Sequence, residues 1–178
     1  MERLKNTAII LSLIDTLKKN KSWCGETHVQ KAAYSLQQLK EVPLDYNFIL
    51  YKHGPFSFDL RDELAAMRAD GLITLQIVNE SYGPQLMITE RGKEIQRKFG
   101  KTIEEFGSSV SFIGSNLGNK GVVDLEKIAT ALYVTKNMRI KKTDDRVQTI
   151  VQLKPHISKE QAEKAVSDID ALLKAANA

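Results

Sequence analysis

The stretch YNFILYKHGPFSFDLRDELAAMRADGLITLQIVNESYGPQLMITERGKEI, from Tyr46 to Ile95, carries the information that decides the fold of this chain. Its first part, residues 46–52, is rich in aromatic and branched side chains and predicts a β-strand. We expect this strand to end at residues 53–55, because the pair Gly54-Pro55 breaks regular strand pairing. The stretch therefore begins with a strand and a turn.

A helix is predicted directly after this turn. Ser57 is a suitable N-cap, and Gly71 ends the helix because glycine adopts the left-handed backbone conformation at low cost. The apolar residues between them recur at helical spacing, as Leu60, Leu64 and Met67. This spacing predicts a short helix with one buried face.

A hairpin and another helix complete the stretch. Residues 73–77 and 85–88 alternate in polarity and are joined by the polar loop 79–84, which predicts two antiparallel strands. Residues 89–95 then begin a helix. The segment Ile88-Thr89-x-x-Gly92 resembles the Leu-Thr-x-x-Gly motif that follows the wing in bacterial winged-helix regulators, with Ile88 in the position of Leu. A strand, a helix, a hairpin and a second helix in this order indicate a winged helix whose wing is the hairpin.

Two further helices are predicted before the strand. The first covers residues 7–19, and the second begins at the capping box formed by Thr27 and Gln30 and ends before Pro43. After the wing, two more capping boxes begin at Thr102 and at Ser158, and the intervening sequence keeps helical periodicity. We therefore predict a mainly α protein with a small β hairpin: a winged helix-turn-helix core in residues 1–100, and a helical bundle in residues 101–178 packed on it.

The charge of the predicted DNA-reading surface differs from that of the whole chain. The chain has a net charge of +4, whereas residues 57–71 carry a net charge of −2 and residues 72–88 add one further negative charge. The helix before the wing normally enters the major groove of DNA, where phosphates attract Lys and Arg. The predicted reading surface is therefore weakly acidic and does not suit that task.

The composition indicates a cytoplasmic protein. The single Cys24 excludes an internal disulfide and fits a reducing compartment. The longest apolar run, residues 8–14, is far shorter than the roughly 20 residues that span a bilayer. We therefore expect no contact with a membrane.

Two motifs resemble known bacterial families. Gln30-Lys31-x-x-Tyr34 followed by Tyr51-x-x-Gly54-Pro55 is similar to the pattern of the uncharacterised YwgA-type family and of the related SocA or Panacea antitoxin domain. Residues 129–133 and 153–156 also resemble the YwgA-type family, so that resemblance extends over most of the chain. It implies a winged-helix-like protein of prokaryotic or phage origin without catalytic residues, and its antitoxin relatives bind and neutralise a partner protein.

The candidate partner-binding residues lie around the Gly-Pro turn. Tyr34, Tyr51, His53 and Asp59 flank the predicted strand end and helix start, so they are candidates for lining a recognition pocket. Packing of the aromatic rings and a carboxylate at a helix N-terminus explain the same residues without a partner. Asp62 lies one helical turn from Asp59 and is a further candidate for contact with basic groups of a partner.

The candidate nucleic-acid contacts lie in the densest basic run, at Lys136, Arg139, Lys141 and Lys142. Such a run suits phosphate binding, which requires no reading of base sequence. A solvated turn between two helices is the alternative explanation, and two aspartates that follow directly neutralise part of the charge.

The sequence favours binding over catalysis. Its three histidines, His28, His53 and His156, are far apart, and no phosphate-binding loop, nucleophile elbow or metal-ligand spacing occurs. We predict a non-enzymatic protein without cofactor or metal that recognises a protein partner in an antitoxin-like or regulatory role. The alternative is a DNA-binding winged-helix transcriptional regulator, and both alternatives leave a homodimer open.

Overall fold

The computed structural model describes residues 3–80 and 82–177. This part of the chain is mainly helical and contains two small antiparallel hairpins. Its elements, in chain order, are α1 (Arg3–Lys19), α2 (Glu26–Leu39), β1 (Ile49–Tyr51), β2 (Gly54–Phe56), α3 (Phe58–Ala69), β3 (Ile73–Gln76), β4 (Gln85–Ile88), α4 (Glu90–Lys98), α5 (Gly100–Leu117), α6 (Val122–Lys136), α7 (Thr143–Leu153) and α8 (Lys159–Ala176).

Helix α1 lies at the centre of the protein. Ile9 and Leu11 are as fully buried as Ile10 and Leu13, so the helix is covered on several sides. Helix α5 packs closely along it, because Gly114 leaves room for the side chain of Thr16, with which a Cβ atom would collide. A helix that is apolar around most of its circumference is typical of a buried element.

The Gly-Pro pair, predicted as a turn, instead lies in the second strand of an additional hairpin, which is the first hairpin of the chain. Strand β1 pairs with β2 so that Ile49 lies opposite Phe56 and Leu50 lies opposite Pro55. Proline fits such a ladder because alternate residues of an antiparallel pair direct their N–H groups away from the partner strand. The sequence pattern predicts one hairpin and an end to pairing at Pro55, and both points are wrong.

The second hairpin and several helix caps confirm the sequence prediction. Strands β3 and β4 pair in antiparallel fashion with Ile73 opposite Ile88. Gly71 is in the left-handed region with φ of 69°, and the Ser57 hydroxyl accepts a hydrogen bond from the N–H of Leu60. Ser158 forms the predicted capping box at the start of α8.

Two predicted capping boxes do not exist. Helix α2 begins at Glu26 after Gly25, so Thr27 lies inside the first turn, and no side chain caps this helix. Helix α5 begins at Gly100, and Thr102 is a buried residue of its first turn. Both threonines have the right local pattern, but tertiary packing starts each helix earlier.

The N-terminal and C-terminal parts share one hydrophobic core. Helix α1 packs against α5, α2 packs against α6, and α6 packs against α7 and α8. Buried residues from both predicted domains contact one another in a single cluster. Within the described residues, no helix has both the length and the apolar character needed to cross a bilayer.

Candidate functional site

Two buried polar side chains of α2 hold the β1–β2 hairpin and the start of α3. The amide group of Gln30 donates to the carbonyl oxygen of Ser57 and accepts from the Ser57 N–H, both at 2.9 Å. Lys31 Nζ donates to the carbonyl oxygen of Pro55 at 2.7 Å, and burial lowers the pKa of Lys31 to about 8. The Gln-Lys pair of the first motif is thus used to fix the Gly-Pro hairpin against α2.

Tyr34, the third residue of that motif, lies in the core. Its side chain is fully buried, its ring packs edge-on against Phe48 with centroids 5.1 Å apart, and its hydroxyl donates to Asn137 Oδ1 at 2.7 Å. Tyr34 therefore shares no surface with Tyr51 and His53. We exclude it from the recognition surface, because a core ring with an engaged hydroxyl has nothing left to offer a partner.

A cluster of partly exposed aromatic rings covers the outside of the hairpin. The rings of Tyr51, Phe56 and Phe58 contact one another, with centroids 5.2–5.9 Å apart. Tyr51 is 54% exposed and Phe58 is 41% exposed, and the guanidinium carbon of Arg61 lies 5.0 Å from the Phe58 ring centroid. Together with Ile49, which is also 41% exposed, these residues form a surface that we call the aromatic patch: Ile49, Tyr51, Phe56, Phe58 and Arg61.

The predicted carboxylates Asp59 and Asp62 lie beside the aromatic patch, and both are exposed. Asp59 Oδ2 accepts a weak hydrogen bond from the backbone N–H of Asn47 at 3.3 Å. Asp62 accepts from the adjacent Arg61 at 3.0 Å, and its side chain is 71% exposed. Both carboxylates therefore keep oxygen atoms free for basic groups of a partner.

Glu63 of α3 and Asp70, which directly follows the helix, share one cation of α1. Arg3 Nε donates to Glu63 Oε2 at 3.0 Å, and another nitrogen of its guanidinium lies 3.6 Å from Asp70 Oδ2. Thr7 Oγ1 donates to Glu63 Oε1 at 2.7 Å. With Arg3 included, the net charge of the α3 surface is −1 rather than −2, so the acidic character is concentrated at its N-terminal end.

His53 belongs to a polar cluster that the sequence did not indicate. Its Nδ1 lies 3.7 Å from the mostly buried carboxylate of Glu126, which is also 3.1 Å from His156 Nε2 and 3.8 Å from Lys154 Nζ. Lys154 donates to the carbonyl oxygen of Tyr51 at 2.6 Å, and burial lowers its pKa. The cluster connects the turn of the first hairpin to α6 and to the α7–α8 connection. These charged side chains therefore have a structural role.

A metal site at this cluster has no support. In residues 3–80 and 82–177, no three or more His, Cys, Asp and Glu side chains are arranged to hold a metal ion. Lys31 and Lys154 are both buried near Glu126, and their positive charges would also repel a cation.

The four basic candidates lie together in the α6–α7 connection. Lys136 ends α6, Arg139 has a left-handed backbone with φ of 58°, and Lys141 and Lys142 directly precede α7. All four side chains are exposed, and none forms an ion pair within the described ranges. This exposed group, which we call the basic turn, is on a different segment from the aromatic patch.

The environment of Cys24 disfavours a reactive thiolate. It is fully buried, its Sγ lies 3.7 Å from the carbonyl oxygen of Ile14, and burial raises its pKa to about 12. A thiol with such a pKa is protonated at neutral pH, so it is a poor nucleophile.

Comparison with known proteins adds no assignment. No family model matches this sequence, and no curated protein matches it.

Proposed function

We propose that this protein acts by recognising another protein, in an antitoxin-like or regulatory role, and that it performs no catalysis. The proposed core is a winged helix formed by α1, α2, the first hairpin, α3 and β3–β4, followed by a C-terminal helical bundle. The order of these elements and the resemblance of the Gln-Lys-x-x-Tyr and Tyr-x-x-Gly-Pro motifs to the antitoxin-related families support this proposal.

The observation that carries the proposal is the aromatic patch. Aromatic residues and arginine are enriched among the few residues that supply most of the binding energy of protein interfaces. Tyr51 and Phe58 expose about half of their surface. The Gln30 and Lys31 contacts fix the backbone that carries these rings, so binding requires little ordering of the hairpin.

The surroundings of the patch define the partner. Asp59 and Asp62 add exposed negative charge at its edge, so the complementary surface carries an apolar anchor flanked by Lys or Arg. The wing is also poorly suited to DNA, because residues 72–88 contain no Lys or Arg. Near its tip the wing exposes apolar side chains, because Ile77 is 74% exposed and Val78 is 57% exposed.

Alanine substitution tests the patch directly. A partner obtained by co-purification and identified by mass spectrometry is purified, and its affinity is measured by calorimetry. We expect Tyr51→Ala and Phe58→Ala each to weaken binding about thirtyfold, as for an interface residue worth about 2 kcal/mol. Met138→Ala is the matched control, because Met138 is 42% exposed but lies in the basic turn. Equal affinity of all three variants would rule out the patch.

A charge reversal tests the acidic edge. Asp59→Lys combined with Asp62→Lys should slow association with a basic partner roughly tenfold, because reversed charges at an interface rim act mainly on the association rate. The same double change should increase nonspecific binding to DNA. Glu104→Lys with Glu105→Lys is the control, since both glutamates are on α5, away from the patch. Full retention of partner affinity by the first variant would place the interface elsewhere.

DNA binding through the basic turn is the second candidate function. Its support is the exposure of Lys136, Arg139, Lys141 and Lys142 without ion-pair partners in the described residues. It predicts a salt-dependent shift of duplex DNA, with a slope that falls by about 0.9 for each phosphate that the protein no longer neutralises. Lys141→Glu with Lys142→Glu should therefore reduce the slope by about 1.8. An unchanged slope would remove these two lysines from consideration.

A further inference from the structure

A second feature, which shares Arg61 with the aromatic patch, is a cavity of about 470 Å³ between the start of α2, α3 and the β3–β4 hairpin. Small-molecule sites usually measure about 300–1,000 Å³ and combine apolar walls with a few polar groups. Its apolar wall is formed by Trp23, Leu64, Leu75, Tyr82, Pro84 and Leu86.

The cavity is fixed by contacts between the wing and the segment before α2. The N–H of Leu86 donates to the carbonyl oxygen of Cys24 at 2.9 Å, and Trp23 Nε1 donates to the carbonyl oxygen of Gly83 at 2.8 Å. The rings of Trp23 and Tyr82 meet edge to face with centroids 4.7 Å apart. Cys24 has a left-handed backbone with φ of 55°, which is a strained conformation for a residue other than glycine.

The polar side of the cavity has unsatisfied hydrogen-bonding groups. Gly25 precedes α2 and supplies no side-chain cap, so the N–H groups of Glu26 and Thr27 have no acceptor within the described residues. His28 forms part of the wall and is only 2% exposed, and its Nδ1 is shut off from water without a partner there. His28 Nδ1 has almost no accessible surface, so of these groups only the first-turn N–H groups are available to a ligand.

Charge on the wall favours an anion. Arg61 and Arg68 line the cavity from α3, and Arg68 pairs with no carboxylate in residues 3–80 or 82–177. Arg61 is engaged by its neighbour Asp62. Glu26 is the only carboxylate among the described residues of the wall, and it is exposed.

We propose that this cavity binds a small planar aromatic anion, such as an aryl carboxylate or an aryl phosphate. Its ring lies against Trp23 and Leu86, and its acid group faces the first turn of α2 and the guanidinium of Arg68. The positive end of the helix dipole and the arginine supply the charge complement. This site adjoins the proposed partner surface, with which it shares Arg61.

A titration with 2-naphthoate tests the proposal, with calorimetry and tryptophan fluorescence as readouts. Trp23 is the only tryptophan of the chain, so a change in its fluorescence reports on this cavity. We expect saturable binding with a Kd below about 1 mM, as for a ligand of this size. Neutral 2-naphthamide should bind about tenfold more weakly, because it cannot form an ion pair with Arg68.

Two variants locate the site. Arg68→Gln should weaken naphthoate binding about tenfold for the same reason. Ala65→Phe fills the cavity from an exposed position of α3 and should abolish binding, whereas Ala69→Phe, one turn further along and outside the cavity wall, should not. No saturation below about 1 mM, equal binding of the amide, or unchanged naphthoate affinity in either Arg68→Gln or Ala65→Phe would overturn the proposal.

Discussion

The contact between Gln30 and Ser57 predicts a large fall in stability on substitution of a single residue. Both residues are fully buried, and the Gln30 amide satisfies the N–H and the carbonyl oxygen of Ser57 at 2.9 Å each. Gln30→Ala leaves the Ser57 N–H buried without a partner, and the Ser57 carbonyl oxygen keeps only its bond from the N–H of Arg61 at 3.1 Å. An orphaned buried group costs about 1–3 kcal/mol and a lost hydrogen bond about 0.5–1.5 kcal/mol, so we expect the free energy of unfolding to fall by about 2–4 kcal/mol. That is a large part of the roughly 5–15 kcal/mol by which a domain is stable.

Urea denaturation at equilibrium measures this change, and Thr27→Ala is the matched control. If Thr27 and Gln30 formed a capping box, Thr27→Ala would cost about 1 kcal/mol. In the structure Thr27 caps nothing, so we expect a change within about 0.5 kcal/mol. A fall below about 1 kcal/mol in Gln30→Ala, or equal falls in both variants, would refute the assignment of Gln30 to the hairpin.

Three further predictions concern buried groups. The pKa of Lys31 is about 8 in the folded protein and higher in the unfolded chain, so the folded state releases its proton at lower pH. The free energy of unfolding should therefore rise by up to about 1 kcal/mol between pH 8 and 9. Lys31→Met should lack this rise when denaturation is measured as a function of pH. Cys24, with a pKa of about 12, should react with a disulfide reagent only at the rate of unfolding, and fast reaction of the native protein would contradict its burial. Asp170→Asn should lower the free energy of unfolding by roughly 2 kcal/mol, because the buried guanidinium of Arg146 is left without its charged partner at 2.7 Å; a thermal scan at pH 7 with unchanged midpoint would contradict this ion pair's importance.

Local chemistry allowed much of the secondary structure to be predicted. The hydroxyls of Ser57 and Ser158 cap helices by accepting a hydrogen bond from a first-turn N–H group, as their local sequence predicts. Glycine adopts a left-handed backbone at the lowest cost, which explains why the helix ends just before Gly71. Thr27 and Thr102 show the limit of this logic. Each matches a capping box, but packing of the flanking helix starts the helical turn earlier.

The candidate site was only partly predictable, because its contacts join distant segments. The position of Asp59 and Asp62 follows from helical spacing alone, and both are exposed. The hairpin that places Ile49 opposite Phe56 could not be predicted from the pattern, because proline ordinarily ends strand pairing. No periodic pattern links His53 with Glu126, which lies 73 positions further along, so only the fold brings them together.

Hydrogen–deuterium exchange of the protein alone and in complex with its purified partner tests most directly the claim that the aromatic patch is the recognition surface. We expect exchange of backbone amides to slow in residues 49–62, which contain the first hairpin and the start of α3, while residues 136–142 remain unchanged. Slower exchange confined to residues 136–142 or to α8, with no change in residues 49–62, would contradict the account.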